Sequence, residues 1–157
     1  MSISLVRVDD RLIHGQVVVG WAQALRAKRI VLVDDEVRAD EWEQELYRLG
    51  VPPGLEVEFA SVDEAAERVP DWEASKERTI VLVGGVDTVT RLCDNTHAIT
   101  RVNLGGVHDR RGRSQRLPYV FLSDDEARQL ARLAQNGVKV TAQDVPTARK
   151  VPLEHLL

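Results

Sequence analysis

Two short runs of the chain, Arg29-Ile30-Val31-Leu32-Val33 and Thr79-Ile80-Val81-Leu82-Val83, carry apolar side chains at four consecutive positions. Successive side chains of a strand point to opposite faces of a sheet, so these runs predict strands that are buried on both faces. Such strands occur in parallel sheets covered by helices on both sides. The runs therefore predict an α/β fold, an open twisted, mostly parallel sheet of about seven strands with helices on both faces.

Short β-branched runs and amphipathic stretches alternate along the rest of the chain. Strands are predicted at residues 3–8, 29–33, 55–60, 79–83, 98–104, 117–122 and 138–142, and helices at 15–26, 39–49, 62–69, 88–94 and 124–135. Capping boxes support two helix starts, at Ser61-Val62-Asp63-Glu64 and Ser123-Asp124-Asp125-Glu126. The chain shows no internal repeat and no linker-like tract, which predicts a single domain over residues 1–157.

The composition is typical of a cytoplasmic protein. The chain has one cysteine, Cys93, so it cannot form an internal disulfide, and a small buried thiol is expected. A formal net charge of −4 argues against general nucleic-acid binding. The longest apolar stretch, around residues 17–22, is too short to span a bilayer, so a location peripheral to the membrane at most is expected. Neither a metal nor another cofactor is predicted, because cysteines and acidic residues do not cluster at ligand spacing.

In open sheets of this kind, ligands bind where the carboxyl ends of strands meet helix starts. That rule directs attention to four loops, at residues 9–16, 34–36, 84–87 and 105–113. The first of them, within Val8-Asp9-Asp10-Arg11-Leu12-Ile13-His14-Gly15-Gln16, opens the first predicted helix. It places His14 beside N–H groups that have no partner within the helix and that bind anions such as phosphate. The position suits a histidine that holds a phosphoryl group, although a histidine at a helix start is more often a surface residue or a cap.

Neighbouring residues of this loop can support that chemistry. Arg11 supplies a forked, permanently charged donor for phosphoryl oxygens. Gly15 allows the backbone to approach an anion closely, and Gln16 is a further candidate for phosphate support. Asp9 or Asp10 can accept a hydrogen bond from one imidazole nitrogen of the histidine and leave the other nitrogen as the nucleophile.

The stretch Asp9-Asp10-Arg11-Leu12-Ile13-His14-Gly15-Gln16-Val17 resembles the active-site motif of the enzyme IIB component of the bacterial phosphotransferase system, in its mannose/fructose/sorbose family. The similarity covers nearly the whole chain in order. The first block is highly specific, and the later blocks support it. They are Val33-Asp34-Asp35-Glu36-Val37, Val102-Asn103-Leu104-Gly105-Gly106-Val107-His108 and Gln143-Asp144-Val145-Pro146-Thr147.

The resemblance implies an activity and its partners. In that family the motif histidine accepts a phosphoryl group on Nδ1 from the phosphohistidine of an enzyme IIA domain. It then passes the group to a sugar delivered by the membrane components IIC and IID. That role maps onto His14, and the phosphate-contacting arginine maps onto Arg11, which implies a protein-N(pi)-phosphohistidine–sugar phosphotransferase. Since the chain carries no IIA segment, a separate donor protein is expected. The sugar stays open, as does assembly into a homo-oligomer.

One loop is richer in arginine than the family pattern. Arg110, Arg111 and Arg113 follow a predicted strand on a chain of negative net charge. A charge run is commonly a solvated hairpin. If the strand before it pairs with the first strand in parallel, however, the loop forms a positive rim beside His14 that attracts a partner carrying phosphate. These arginines are therefore candidates for partner docking.

Other functions fit the sequence less well. A response-regulator receiver domain would use the acidic residues at 34–36, but it needs an aspartate after a later strand, where Gly84-Gly85 stands. The acidic residues are therefore interpreted as a solvated loop that supports the site. A dinucleotide-binding enzyme would need a G-x-G-x-x-G motif after a strand. The alternative that stays open is a regulatory phosphoacceptor module of an incomplete phosphotransferase system, without sugar transport.

Overall fold

Strands and helices alternate along the chain, as the sequence predicts. A computed structural model describes residues 2–157, and the side chains of Gln16 and Val17 lie outside the described part. The strands are β1 (Ile3–Val8), β2 (Arg29–Val33), β3 (Glu56–Ala60), β4 (Thr79–Val83), β5 (Arg101–Leu104), β6 (Ser114–Leu117), β7 (Val120–Leu122), β8 (Lys139–Ala142) and β9 (Val151–Pro152). The helices are α1 (Gly15–Leu25), α2 (Asp35–Arg38), α3 (Glu41–Leu49), α4 (Val62–Ala74), α5 (Val86–Asn95) and α6 (Asp124–Gln135), with a 3-10 turn at Leu153–Leu156.

Seven of the strands form one sheet, in the order β3-β2-β4-β1-β5-β8-β9. Every neighbouring pair is parallel except β8 with β9. The prediction of an α/β fold with a mostly parallel sheet of about seven strands is therefore confirmed. Strand β1 lies between β4 and β5, and it pairs with β5 in parallel, with Arg7 opposite Asn103. The condition set for the docking loop is thus met.

Alternate side chains of the central strands enter two separate cores. In β2, Val31 and Val33 pack into the core that includes α4, α5 and α6, whereas Ile30 and Leu32 pack into the core that includes α1 and α3. All four side chains are at most 1% exposed. Burying a side chain of this size stabilises a fold by about 1.5–3 kcal/mol. The continuous apolar runs are therefore explained by helices on both faces of the sheet.

Both predicted capping boxes are present. The Ser61 hydroxyl accepts a hydrogen bond from the Glu64 N–H at 3.1 Å, and the Glu64 carboxylate accepts one from the Ser61 N–H at 2.9 Å. Ser123 and Glu126 repeat the arrangement at the start of α6. These reciprocal bonds satisfy N–H groups that have no partner within the helix, which is why the two helices begin where the sequence predicts.

Helix α4 is longer than predicted. It continues past Val69 to Ala74 with Pro70 inside it. A proline removes one helical hydrogen bond and usually ends a helix, but Pro70 does not end this one. Trp72 is 1% exposed in the core, and its burial stabilises the last turns of the helix. Among the helices of residues 2–157, none combines the length and the apolar composition that a membrane span requires.

The prediction of one strand at residues 117–122 is wrong. Strands β6 and β7 form an antiparallel hairpin outside the seven-stranded sheet, with its turn at Pro118-Tyr119. The sequence pattern also misses α2 and β9, since four and two residues are too short to show a period. Helix α2 corrects the interpretation of residues 34–36 as a loop. Asp34 caps this helix by accepting a hydrogen bond from the Val37 N–H at 3.0 Å.

Candidate active site

His14 stands at the amino end of α1, as the sequence predicts. Its backbone is extended (φ −113°, ψ 122°), and its carbonyl accepts a hydrogen bond from the Val18 N–H at 2.9 Å. The side chain makes no capping hydrogen bond and is exposed. The ring is therefore open to a partner, next to the N–H groups of the first helical turn.

The loop that presents His14 turns through one left-handed residue. Leu12 has a φ of 58°, and its N–H donates to the Asp9 carbonyl at 3.0 Å. Non-glycine residues rarely adopt this conformation, so packing has to hold it. The Leu12 side chain lies against Gly84, where an added Cβ would come within 2.9 Å of Leu12 Cδ2. Ile13 is buried in the core that includes α1. These two apolar contacts fix the loop before the histidine.

A forked ion pair holds Arg11. Its Nε and Nη2 donate to the two carboxylate oxygens of Asp9 at 2.8 and 2.7 Å. The Asp9 side chain is 1% exposed, whereas that of Arg11 is 30% exposed. A guanidinium has five N–H donors, so two bonds to Asp9 leave about three donors for another ligand. The geometry thus combines a fixed guanidinium with an accessible edge.

A second arginine, Arg7, holds the same carboxylate from inside the protein. Its side chain is 2% exposed, and its Nη2 donates to Asp9 at 3.2 Å and to the Asp144 carbonyl at 2.9 Å. Its Nη1 donates to the Asn103 side-chain oxygen at 2.5 Å and to the Gln143 carbonyl at 2.9 Å. Arg7 therefore joins the carboxyl ends of β1, β5 and β8. We call Arg7, Asp9 and Arg11 the arginine–aspartate cluster.

Two consecutive glycines leave space for this cluster. A Cβ added to Gly105 would lie 2.2 Å from Arg7 Nη2, and one added to Gly106 would lie 3.1 Å from Arg11 Nε. On its other side, the Arg7 guanidinium lies 4.7 Å from the centre of the Trp21 ring. Gly105 is thus required by the size of the buried Arg7 guanidinium, and Gly106 lies in tight contact with Arg11.

The charges of the cluster determine the pKa of Asp9. Burial opposes ionisation of this carboxyl, but the hydrogen bond from Arg11 and the positive charges of both arginines outweigh burial and hold its pKa below the usual value. Burial lowers the pKa of Arg7, whereas the hydrogen bond to Asp9 raises the pKa of Arg11. Both guanidinium groups stay charged near neutral pH. Two cations and one carboxylate leave the cluster with a net positive charge, which suits an anionic ligand.

Among the described residues, neither acidic residue of the motif forms a hydrogen bond or an ion pair with the His14 ring. Asp9 is bound by the two arginines. Asp10 accepts hydrogen bonds from the backbone N–H of His108 at 2.8 Å and from Nδ1 of the same residue, and its own N–H donates to the Gly106 carbonyl at 2.8 Å. Asp10 therefore ties the loop at 105–113 to the loop before α1, and the expected orientation of the histidine by Asp9 or Asp10 finds no support in these contacts.

The four loops selected from the sequence meet around a cleft of about 430 Å³. Leu12, Asp34, Gly85 and Arg110 line it, one from each loop. His14 is not part of this lining.

Within residues 2–157, no three histidine, cysteine, aspartate or glutamate side chains form a group that could hold a metal ion.

The three candidate docking arginines differ in their surroundings. Arg113 is 10% exposed, and its Nε and Nη2 donate to the Glu126 carboxylate at 2.9 and 2.8 Å. Its charge is therefore already paired. Arg110 and Arg111 are exposed. Only these two remain accessible to a partner.

The two remaining candidates are the first residues of α1. A Cβ added to Gly15 would lie 3.9 Å from the Gly50 carbonyl oxygen, an ordinary contact, so this position does not require glycine for space. The side chain of Gln16 lies outside the described part of the structure. The Gly15 contact shows that the end of α3 lies beside the start of α1.

Sequence reasoning missed Arg7. Within β1, Arg7 lies on the same face as Leu5, which packs against the core that includes α1, and its guanidinium lies over Trp21 of that helix. A charged residue on a covered face is expensive without partners, so its position in an apolar strand was a usable signal. The partners themselves are far away in the sequence and could not be identified.

Replacing Asp9 with asparagine is expected to destabilise the protein by about 3–5 kcal/mol, because the buried Arg7 guanidinium then loses its counter-charge. The measurement is urea unfolding at neutral pH. Asp71→Asn, at an exposed position of α4, removes the same charge elsewhere and serves as the control. Equal stability of the two variants would contradict the role given to the cluster.

The same variant has a pH signature. Since the pKa of Asp9 is lower in the folded protein than the unfolded value of about 3.9, its stabilisation is present above that value. The stabilisation is lost as pH falls through the lowered folded pKa. The stability difference between wild type and Asp9→Asn is therefore expected to shrink in acid, and a constant difference from pH 7 to pH 2 would argue against it.

Comparison with known proteins shows similarity over nearly the whole chain. The family model described as "PTS system sorbose subfamily IIB component" matches residues 3–157. The sorbose-specific EIIB component of Lacticaseibacillus casei is 33% identical over 147 residues, which are 94% of this chain and 90% of that protein. The mannose-specific EIIAB component of Escherichia coli K12 is 31% identical over 157 residues, all of this chain, but the chain spans only about half (49%) of that protein's length.

Solved structures agree with these matches. The IIBSor domain of the sorbose permease from Klebsiella pneumoniae superposes with a TM-score of 0.89 at 31% identity, over 99% of this chain and 96% of that one. The structure of manxB from Thermoanaerobacter tengcongensis gives a TM-score of 0.87 at 34% identity, over 98% and 93%. The chain therefore belongs to the sorbose subfamily of the IIB components of the phosphotransferase system.

Proposed function

We propose that this chain is a cytoplasmic phosphoryl carrier, in which His14 accepts a phosphoryl group from an enzyme IIA and transfers it to a sugar at the membrane components IIC and IID. The observation that carries the proposal is the exposed His14 ring at the amino end of α1. It follows Arg11, whose guanidinium is fixed by a buried carboxylate. Membership of the sorbose IIB subfamily supports a role in sugar uptake.

The chemistry consists of two transfers. In the first, the lone pair of His14 Nδ1 forms a nitrogen–phosphorus bond as the corresponding bond in the phosphohistidine of IIA breaks, and the electron pair returns to the donor imidazole. In the second, a sugar hydroxyl oxygen attacks phosphorus, the bond to His14 breaks, and the hydroxyl proton is released. Both transfers spread negative charge over phosphoryl oxygens, so positioned donors accelerate them.

The arginine–aspartate cluster can supply those donors. Asp9 already occupies two donors of Arg11, so the guanidinium is oriented before any phosphoryl group arrives. Preorganised donors of this kind cost no reorganisation during the reaction. The N–H groups at the start of α1 add a second set of donors on the backbone.

His14 is expected to be the sole phosphoacceptor. After incubation with phosphorylated IIA, mass spectrometry under non-acidic conditions should locate one phosphoryl group on this residue. His14→Ala should stay unlabelled, whereas His97→Ala, which changes another exposed histidine, should label as wild type does. Labelling of His14→Ala at the wild-type level would refute the assignment.

Arg11→Lys is expected to slow phosphoryl transfer by about tenfold to a thousandfold, the range for one lost electrostatic donor. Lysine keeps the charge but cannot bind the Asp9 carboxylate with a fork while also reaching a phosphoryl oxygen. Rapid-quench measurement of single-turnover transfer tests this, with Arg128→Lys, at a 72% exposed position, as the control. Wild-type rates in Arg11→Lys would leave Arg11 with a structural role alone.

Arg110 and Arg111 are proposed to attract the partner that carries phosphate. Both are exposed, and Arg110 shares a cleft with Leu12, two residues before His14. Charges at the edge of an interface act mainly on the association rate. Arg110→Ser/Arg111→Ser is therefore expected to slow phosphorylation by IIA at low salt, with a deficit that shrinks as salt rises. An unchanged rate and salt dependence would leave the two arginines as solvated surface.

Transport and regulation differ in the second transfer. If the chain serves sugar uptake, phosphorylated protein incubated with membranes containing IIC and IID should lose its phosphoryl group to one member of a panel of hexoses. A phosphoacceptor that serves regulation alone would keep its phosphoryl group under all these conditions. This assay also identifies the sugar.

A further inference from the structure

Three large apolar side chains of α3 are exposed to solvent. Trp42 is 74%, Leu46 51% and Leu49 83% exposed. Their spacing of four and three residues places them on one side of the helix. We call these three residues the α3 stripe. Contiguous apolar surface of this kind marks interaction sites on soluble domains, whereas single exposed leucines do not.

The rest of α3 holds the stripe outward. The inward side carries Gln44, which is 8% exposed and donates to the carbonyls of Val37 and Arg38 at 3.0 and 2.9 Å. Tyr47 lies on the same side, with its ring centre 6.4 Å from that of Phe59. A surface helix normally buries its apolar stripe and exposes its polar residues. Here a glutamine is buried instead, and its two hydrogen bonds oppose any rotation of α3 that would cover the stripe.

The stripe ends beside the candidate phosphoacceptor. Gly50 follows Leu49, and its carbonyl oxygen would lie 3.9 Å from a Cβ on Gly15, the first residue after His14. The carboxyl end of α3 therefore adjoins the amino end of α1. The helix end that carries Leu49 is therefore next to the backbone that carries His14, on the side from which a docked protein can reach both.

The charges around the stripe restrict the occupant. Helix α3 carries three glutamates, Glu41, Glu43 and Glu45, against one arginine. That arginine, Arg48, is paired with Glu45 at 2.7 Å, so the helix keeps an excess of acidic charge, and the chain has a formal net charge of −4. A second copy would oppose these acidic groups with identical ones, and an anionic bilayer would repel them. A protein with an apolar patch edged by basic groups fits both features.

Transfer between two proteins requires the surfaces around both reacting groups to meet, whereas a sugar is a small molecule that needs no wide contact at His14.

We propose that the α3 stripe is the docking surface for the protein that phosphorylates His14, an inference that rests on the proposed carrier function. Three exposed apolar residues form a small contact, and a carrier has to release its donor after each transfer. The stripe thus supplies affinity next to His14, separately from the chemistry performed by His14 and Arg11.

The test compares Leu46→Ser/Leu49→Ser with Leu157→Ser, which changes an apolar residue that is 56% exposed outside the stripe. The rate of His14 phosphorylation is measured against the concentration of purified phosphorylated IIA from the same organism. The stripe variant is expected to need about tenfold more IIA for half-saturation, since central apolar residues dominate interface affinity. Its rate at saturating IIA and its transfer to sugar should equal those of wild type, as should its thermal stability.

A second measurement does not depend on phosphoryl transfer. Of the three tryptophans, Trp21 and Trp72 are buried, so Trp42 reports on the stripe. Unphosphorylated IIA should shift the tryptophan emission of wild type to shorter wavelength and should leave the emission of Trp42→Phe unchanged. If wild type shows this shift but His14 is never labelled, the carrier function fails and the docking surface stands.

Four outcomes would overturn the docking proposal. The first is an unchanged dependence on IIA concentration in the stripe variant, and the second is an equal change in Leu157→Ser. The third is a defect confined to transfer from phosphorylated protein to sugar. The fourth is a Trp42 shift produced by phosphatidylserine vesicles or by increasing the concentration of the protein alone, which would assign the stripe to a membrane or to a second copy.

Discussion

Two guanidinium groups share one buried carboxylate at the carboxyl end of β1, and the ends of three strands are arranged around them. A buried charge without partners costs several kcal/mol, so Arg7 can occupy its position only while Asp9, Asn103 and the carbonyls after β8 surround it. The backbone at Gly105 passes so close to Arg7 that a larger residue does not fit there, and Gly106 is in tight contact with Arg11. Two of the three later sequence blocks that resemble the IIB family, at 102–108 and 143–147, thus contain partners of this one arginine.

In this arrangement, the residue that is held in a fixed orientation, Arg11, differs from the residue proposed to react, His14. The Asp9 carboxylate orients Arg11 and is itself bound by the buried Arg7. The guanidinium of Arg11 therefore loses its conformational entropy when the protein folds and not during the transfer step. His14 has no comparable support among the described contacts and projects from the start of α1. A fixed arginine three residues before an accessible histidine suits a site that has to meet two successive partners.

The surface around the start of α1 is divided by charge. The loop at 105–113 brings exposed arginines to one part, while α3 brings an apolar stripe edged by acidic residues to another. Polar contacts fix both elements: an exposed hydrogen bond from His108 to Asp10 holds the loop, and the buried amide of Gln44 holds the helix. Hydrogen bonds therefore help to determine which side chains this surface presents.

Local patterns were sufficient for the fold class and for the position of His14. Apolar runs, capping boxes and the block around the histidine depend on neighbours within a few residues, and such signals are readable in the chain. They failed at α2, at β9 and at the proline in α4, where the element was too short or where burial of Trp72 outweighed local preference. The contacts between residues of the site could not be predicted from such local patterns. Arg7 lies 96 residues from Asn103, and Asp10 lies 98 residues from His108. Those contacts exist because β1 is inserted between β4 and β5, and strand order results from packing of the whole sheet, which no local pattern records.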